Sequence, residues 1–385
     1  MQNELNKLVE MLFQSINKDE ATQAISAEKA NAVFDRLSTA AQAKDTEFFQ
    51  QLVETEKRQG RKKNEPTLLI AATMQERADI VQALIQAGAD VNAKVEEFFT
   101  FDALEFAVDK GYTKITKILL DGGADPNWNN ENPGLCSITK AVRKGNLEIV
   151  KMLIDAGAAV KFGTGFRLLV DAAEKSTPEI VQLLLDAGCN VNTRETGQDT
   201  PLTAACKRAN VEIVRTLIAA GANVNKIGMH EFSPLVAVFY APKFNQMLSG
   251  QGLAEADNNI SKKLLTIIQI LIDAGADFNP RDLQGRTPLM LAINQGFIEA
   301  AKVLIAAGAD INILSKPDDK VIIFFRGDGI SRTALHFAVE TGQEEAVKLL
   351  LAAGADLNIP DSQGKTPIDI AERKELMNIS ELLHR

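Results

Sequence analysis

The 385-residue chain has only three histidines and three cysteines, the side chains on which most metal sites, thiol nucleophiles and general bases are built. His230, His336 and His384 lie far apart, and none stands at ligand spacing from Cys136, Cys189 or Cys206, which form no Cys-x-x-Cys pair. No metal site is expected, and the thiols read as reduced. Gly364-Lys365-Thr366 has the tail of a phosphate-binding loop, but that motif would place its first glycine where Ile359 stands. Arg326-Gly327-Asp328 matches an integrin-binding triplet, a pattern short enough to arise by chance. Lys57, Arg58, Arg61, Lys62 and Lys63 suit a solvated loop better than a nuclear signal. No catalytic residue and no cofactor is assigned.

The elements that would carry any site are helical. Hydrophobic residues make up 45% of the chain and aromatics only 5%, a balance that favours closely packed Ala-, Leu- and Ile-rich helices over sheet. A net charge of −9 argues against nucleic acid as partner, because phosphate recognition needs a basic surface. No apolar run approaches the roughly 20 residues that span a bilayer, and the N-terminus lacks a secretory h-region. A cytoplasmic monomer is expected, without membrane insertion.

A glycine followed by a small residue and then usually Asp or Asn recurs at positions 88, 123, 157, 188, 221, 275, 308 and 354. The intervals, by subtraction, are 35, 34, 31, 33, 54, 33 and 46, so a period near 33 carries two insertions. Each unit reads as two short helices. In one, Thr287 caps a helix, Pro288 takes its first position, and Leu289, Ala292 and Ile293 recur at helical spacing up to Gly296. A second helix carries Ala300, Val303, Leu304 and Ile305 and stops at Gly308. Neither buries its apolar stripe alone, so stacked neighbours must bury it together.

On these residues the chain resembles the ankyrin-repeat family. The resemblance rests on the openings Thr200-Pro201-Leu202, Thr287-Pro288-Leu289, Thr333-Ala334-Leu335-His336 and Thr366-Pro367-Ile368. It rests equally on the endings Gly88-Ala89-Asp90-Val91-Asn92, Gly221-Ala222-Asn223-Val224-Asn225 and Gly354-Ala355-Asp356-Leu357-Asn358. It weakens at Cys136-Ser137-Ile138 and Arg167-Leu168-Leu169. It implies an all-α solenoid of stacked helix-turn-helix units with short β-hairpin fingers, and a backbone-bonding role for His336. Residues 1–64 are expected to form a helical N-terminal cap with a degenerate first repeat. Residues 65–385 are then an array of about eight glycine-ended repeats and a C-terminal capping repeat, with insertions near 241–261 and 313–331.

The family resemblance also implies a binding groove lined by the fingers and first-helix ends. Those ends carry Lys110, Arg143, Lys144, Lys175, Lys207 and Arg208, a basic stripe in an acidic protein. Usually such a run is only a solvated face. The fingers and the second insertion add Phe98, Phe99, Trp128, Phe162, Phe166, Met229, Phe232, Phe324 and Phe325, which either pack on a neighbouring finger or serve as interface anchors. Residues 321–325 read as a strand. The two insertions exceed the period by 21 and 13 residues, too short for a catalytic domain. A scaffold or adaptor for a partner protein is expected, not an enzyme. The alternative is an inhibitor of a target enzyme, or a bacterial effector delivered into a host cytosol.

Overall fold

The computed structural model describes residues 23–59, 66–96, 100–128, 136–160, 167–194, 197–229, 232–241, 253–315 and 329–384. The chain divides into two compact units, Met1–Leu168 and Leu169–Arg385. The first holds α1 (Gln23–Gln42) and α2 (Thr46–Gln59), then the pairs α3 (Leu68–Met74) and α4 (Ala78–Gln86), α5 (Ala103–Lys110) and α6 (Thr113–Asp121), and α7 (Ser137–Lys144) and α8 (Leu147–Asp155). The second opens with α9 (Leu168–Lys175) and α10 (Pro178–Asp186). The pairs α11 (Pro201–Lys207) with α12 (Val211–Ala219) and α13 (Pro234–Val238) with α14 (Leu253–Asp273) follow. The unit ends with α15 (Pro288–Asn294) and α16 (Ile298–Ala307), α17 (Ala334–Glu340) and α18 (Glu344–Ala352), and α19 (Pro367–Arg373) and α20 (Met377–Leu383).

Local chemistry sets each first helix. Thr67, Thr200, Thr287, Thr333 and Thr366 sit in extended backbone at the N-cap, and each hydroxyl accepts the N–H three residues on. Pro201, Pro288 and Pro367 follow where the missing N–H costs nothing. These helices are buried almost all round. In α11, Pro201 through Cys206 are all buried, and their small side chains let neighbouring backbones approach. The second helices bury one stripe only: Ile80, Val81 and Leu84, Ile149, Val150 and Leu153, and Ile213, Val214 and Leu217. Each such side chain contributes about 1.5–3 kcal/mol of transfer free energy.

The turn between paired helices needs a left-handed residue. Gly111, Gly145, Gly296 and Gly342 supply it, but Glu76, Ala209 and Glu375 stand there in other repeats with φ of 55°, 51° and 56°. A side chain in that region costs about 1–2 kcal/mol, against about 0.5–1 kcal/mol for the extra freedom glycine loses on folding. Glu76 is exposed, so Glu76→Gly is expected to stabilise the first unit by about 0.5 kcal/mol. An unchanged or lower urea midpoint would refute the strain.

Neighbouring repeats are clamped by the asparagine that ends most of the glycine turns. Asn92 donates to the Gly123 carbonyl (3.2 Å) and accepts from the Asp125 N–H (2.8 Å). Asn127 does the same with Gly157 and Ala159. In the second unit Asn192 and Asn225 repeat both bonds, and Asn279 and Asn312 accept from Asp310 and Asp356. These bonds satisfy backbone groups that no helix reaches.

The fingers depart from expectation. Among the described residues only one is a β-hairpin, β1 (Lys94–Glu96) against β2 (Thr100–Asp102), with Lys94 opposite Asp102. Elsewhere Asp and Asn side chains close Asx turns onto their own backbone, as Asp277 does at Asn279, which removes the need for a strand ladder. In the 241–261 insertion, α14 begins at Leu253 and takes in the second half. Residues 242–252, the 321–325 segment and the first 22 residues of the expected N-terminal cap lie outside the described residues. What is described of the second insertion is its base, where Ser315 N–H donates to the Arg332 carbonyl and its hydroxyl accepts from Arg332 N–H, both at 2.8 Å.

Candidate functional site

In the first unit the ends of α5 and α7 carry Lys110, Lys140, Arg143 and Lys144 beside Glu105 and Asp109. Lys140 pairs with Glu105, whose side chain is only 7% exposed. Lys144 holds the Asp109 carboxylate at 3.2 Å and also its backbone carbonyl. Lys110 Nζ lies 5.5 Å from the Phe106 ring centroid, and Phe106 lies 6.1 Å from Phe101. On the fingers, Lys94 Nζ stands 4.6 Å over Trp128. Both arrangements are cation–π contacts, which are worth about 0.5–2 kcal/mol. Trp128, Phe101 and Phe106 are all part-exposed. Arg143 is part-exposed on α7.

The second unit is built differently. Both oxygens of Asp199 accept from Lys207 Nζ, at 2.9 and 2.8 Å, and Oδ1 also takes the Met229 N–H at 2.9 Å. Gly228 allows this approach, since a Cβ there would meet Asp199 and Thr203 at 2.8 Å. Lys207 Nζ lies 5.2 Å over Phe232, which stacks on Tyr240 at 4.3 Å. Tyr240 in turn donates to Asp282 and accepts from Arg286. Phe232 is thus a supporting group, 7% exposed, and not a surface anchor. Ile227 and Met229 are exposed beside it, at 45% and 38%. Lys175 is exposed. Arg208 Nε donates to the Glu174 carbonyl at 2.7 Å, as Lys374 Nζ does to Glu340 at 2.9 Å. Lys144 and Arg208 are therefore staples between repeats, placed where a helix C-terminus presents unpaired carbonyls.

The expected stripe thus falls into Lys110, Arg143 and Lys144 in one unit and Lys175, Lys207 and Arg208 in the other. Phe98, Phe99, Phe162, Phe166, Phe324, Phe325 and His230 lie outside the described residues. Lys94, Phe101, Phe106 and Ile227 were not singled out by sequence. Lys94 and Phe101 flank a finger whose pairing is visible only once folded, and Phe106 reads as ordinary helix content.

Family comparison bears directly on these capped, glycine-ended pairs. Models described as ankyrin repeats in three copies match residues 37–130, 104–195, 138–228 and 258–315, and one for many copies matches 325–371. The chain is an ankyrin-repeat protein. Among curated relatives, protein phosphatase 1 regulatory subunit 27 of Homo sapiens and of Mus musculus are each 37% identical to it over 59 residues. That stretch is 15% of this ankyrin protein and 38% of the relative, so the chain spans well under half the length of the curated relatives it matches.

Within the repeats His336 is fully buried and bonded on both ring nitrogens, Nδ1 to Thr333 N–H (3.2 Å) and Nε2 to the Lys365 carbonyl (3.0 Å). Among the described residues no group of three or more His, Cys, Asp or Glu could hold a metal ion, and no helix is long and apolar enough to cross a membrane. Cys136 and Cys206 are buried thiols outside any disulfide, and burial pushes Cys206 well above the usual thiol range.

Asp102 is the most perturbed carboxylate beside the aromatic finger. It caps α5, accepting from Glu105 N–H at 2.7 Å, and is 3% exposed. Burial raises it from 3.8 to about 6 against the pull of that hydrogen bond, with the nearby Glu105 charge adding to the rise. Because the folded pKa is raised, the native state holds more protons between 3.8 and about 6, and stability falls as pH rises through that window. Asparagine caps equally well without the buried charge. Asp102→Asn is therefore expected to gain about 1 kcal/mol at neutral pH and to flatten this slope. Unfolding midpoints at pH 4 and 7 that shift equally in both proteins would count against it.

Proposed function

We propose that this ankyrin-repeat protein is a non-catalytic adaptor that binds a partner protein through its fingers and first-helix ends, in both units. The observation that carries the reading is the part-exposed set Trp128, Phe101 and Phe106 on the first unit, with Lys94 and Lys110 over two of the rings. Large rings on polar fingers and helix ends are the residue type enriched where truncation costs most binding energy. In the second unit Ile227 and Met229 are the corresponding exposed apolar groups, braced from below by Phe232 and Tyr240. Lys175 and Arg143 add charge at the helix ends. A regulator of a target enzyme is a narrower form of the same reading. It draws only on the relatives' description as phosphatase regulatory subunits, and the matched 59 residues are less than two repeats long.

The test is affinity capture with mass spectrometry on the full chain and on Trp128→Ala and Met229→Ala. Trp128→Ala is expected to weaken the captured partner by more than about 1 kcal/mol while leaving unfolding unchanged. Reversing Arg143 to Glu is expected mainly to slow association. Equal affinities in all three variants, with folding intact, would move the interface elsewhere.

A further inference from the structure

We infer that the α5–α7 face of the first unit takes an acidic, extended segment of a partner protein that also carries an apolar side chain. This deepens the interaction reading above and rests on it. The argument starts from charge in a chain of net −9. Along α5 and α7 two carboxylates, buried Glu105 and part-exposed Asp109, are already engaged, Glu105 by Lys140 and Asp109 by Lys144. Lys110 has no carboxylate within reach among the described residues and rests on the Phe106 ring instead. Lys94 lies over Trp128 and opposite the buried Asp102, whose carboxyl it draws down.

An ammonium held on an aromatic face is positioned but not neutralised. A carboxylate arriving over the ring edge gains an ion pair without breaking an existing one. The ring beneath offers apolar area to the residue beside that carboxylate. Alternating acidic and apolar groups along one extended strand would meet both features at once. Because the rest of the chain repels acids, selection falls on this row within roughly 10 Å, the screening length at 0.1 M salt.

Trp128 is the one tryptophan, so its emission reports from this face. The full chain is titrated with a short peptide of Glu, Leu and Gly, with its Gln-for-Glu and Lys-for-Glu counterparts, and with a single-stranded oligothymidylate of matched charge. A saturable change with the Glu peptide alone is expected, weakening as salt rises. Lys110→Glu should reduce its affinity at least about fivefold, the loss of one ion pair plus a new repulsion, while Lys263→Glu, exposed on α14 of the second unit, leaves it unchanged. An equal response to the Gln peptide makes the face merely apolar, and one to the oligonucleotide makes it a general polyanion surface. No response, or full affinity in Lys110→Glu, overturns the inference equally. The two readings fail separately. A captured partner lost in Trp128→Ala but insensitive to Lys110→Glu leaves the interaction surface standing and removes the acidic segment.

Discussion

Asp282→Ala is expected to cost the second unit about 3–5 kcal/mol, the typical penalty for stripping the counter-charge from a buried ion pair. The Asp282 side chain is fully buried and its partner Arg286 is 16% exposed. One oxygen accepts the Gln284 and Arg286 N–H groups at 2.9 and 2.8 Å and so closes the turn around Gly285. The other accepts from the Arg286 guanidinium and the Tyr240 hydroxyl, both at 2.8 Å. Alanine leaves a guanidinium and a phenol buried without an acceptor and opens the turn that leads into the Thr287 cap. The graded controls are Asp282→Asn, which keeps an acceptor but loses charge, and Tyr240→Phe, expected to cost about 1 kcal/mol. Urea unfolding followed by circular dichroism gives the ranking. A loss below that of Tyr240→Phe would mean that water replaces the carboxylate and that the network is no hub. Since Tyr240 also carries Phe232, the same substitution should loosen the Met229 finger and weaken any partner held there.

The recurrence of that turn shows what could be read from the sequence. Asp361 closes Gly364 and Lys365 as Asp282 closes Gly285 and Arg286, with the Gln363 and Lys365 N–H groups at 2.8 Å. The glycine period, the Thr-Pro caps and the apolar spacing were legible because each is a local demand of backbone geometry. Gly364-Lys365-Thr366 was legible as a repeat turn for the same reason, since Thr366 had to cap the next helix. The asparagine clamps were not. Asn92 and Asn225 look solvated until the next repeat brings a carbonyl and an N–H to them, and that partner lies 31 to 52 residues away. The surroundings of the basic stripe were hidden in the same manner. Its phase was visible, but whether Lys144 and Arg208 face a partner or staple a preceding helix depends on stacking. The start of α14 at Leu253, inside the 241–261 insertion, was also not legible, because the repeat period marks the length of an insertion and not its conformation.

His336→Ala should be the second most costly change, at about 2–4 kcal/mol, combining a cavity at a fully buried site with two orphaned backbone groups. Thr333 N–H donates to Nδ1, so Nε2 must carry the hydrogen that reaches the Lys365 carbonyl. That neutral tautomer ties the cap of α17 to the turn of the next repeat. Protonation would put a second hydrogen on Nδ1, against the Thr333 N–H. Burial accordingly holds the imidazole below its usual 6.5, with the Lys365 carbonyl pulling the other way. A lowered folded pKa means that the contribution is complete above the unfolded value and is lost as pH falls below it. Asp102 acts with the opposite sign in the overlapping window, gaining stability as pH falls toward 3.8. The measurement is therefore the difference between the parent chain and His336→Gln at each pH from 7.5 to 5. Glutamine keeps one acceptor and one donor but does not titrate. The gap between the two should narrow as pH falls. A constant gap would show that the imidazole binds protons equally in the folded and unfolded chain and that its role is packing alone, and a widening one would mean that the imidazolium is the form the fold prefers.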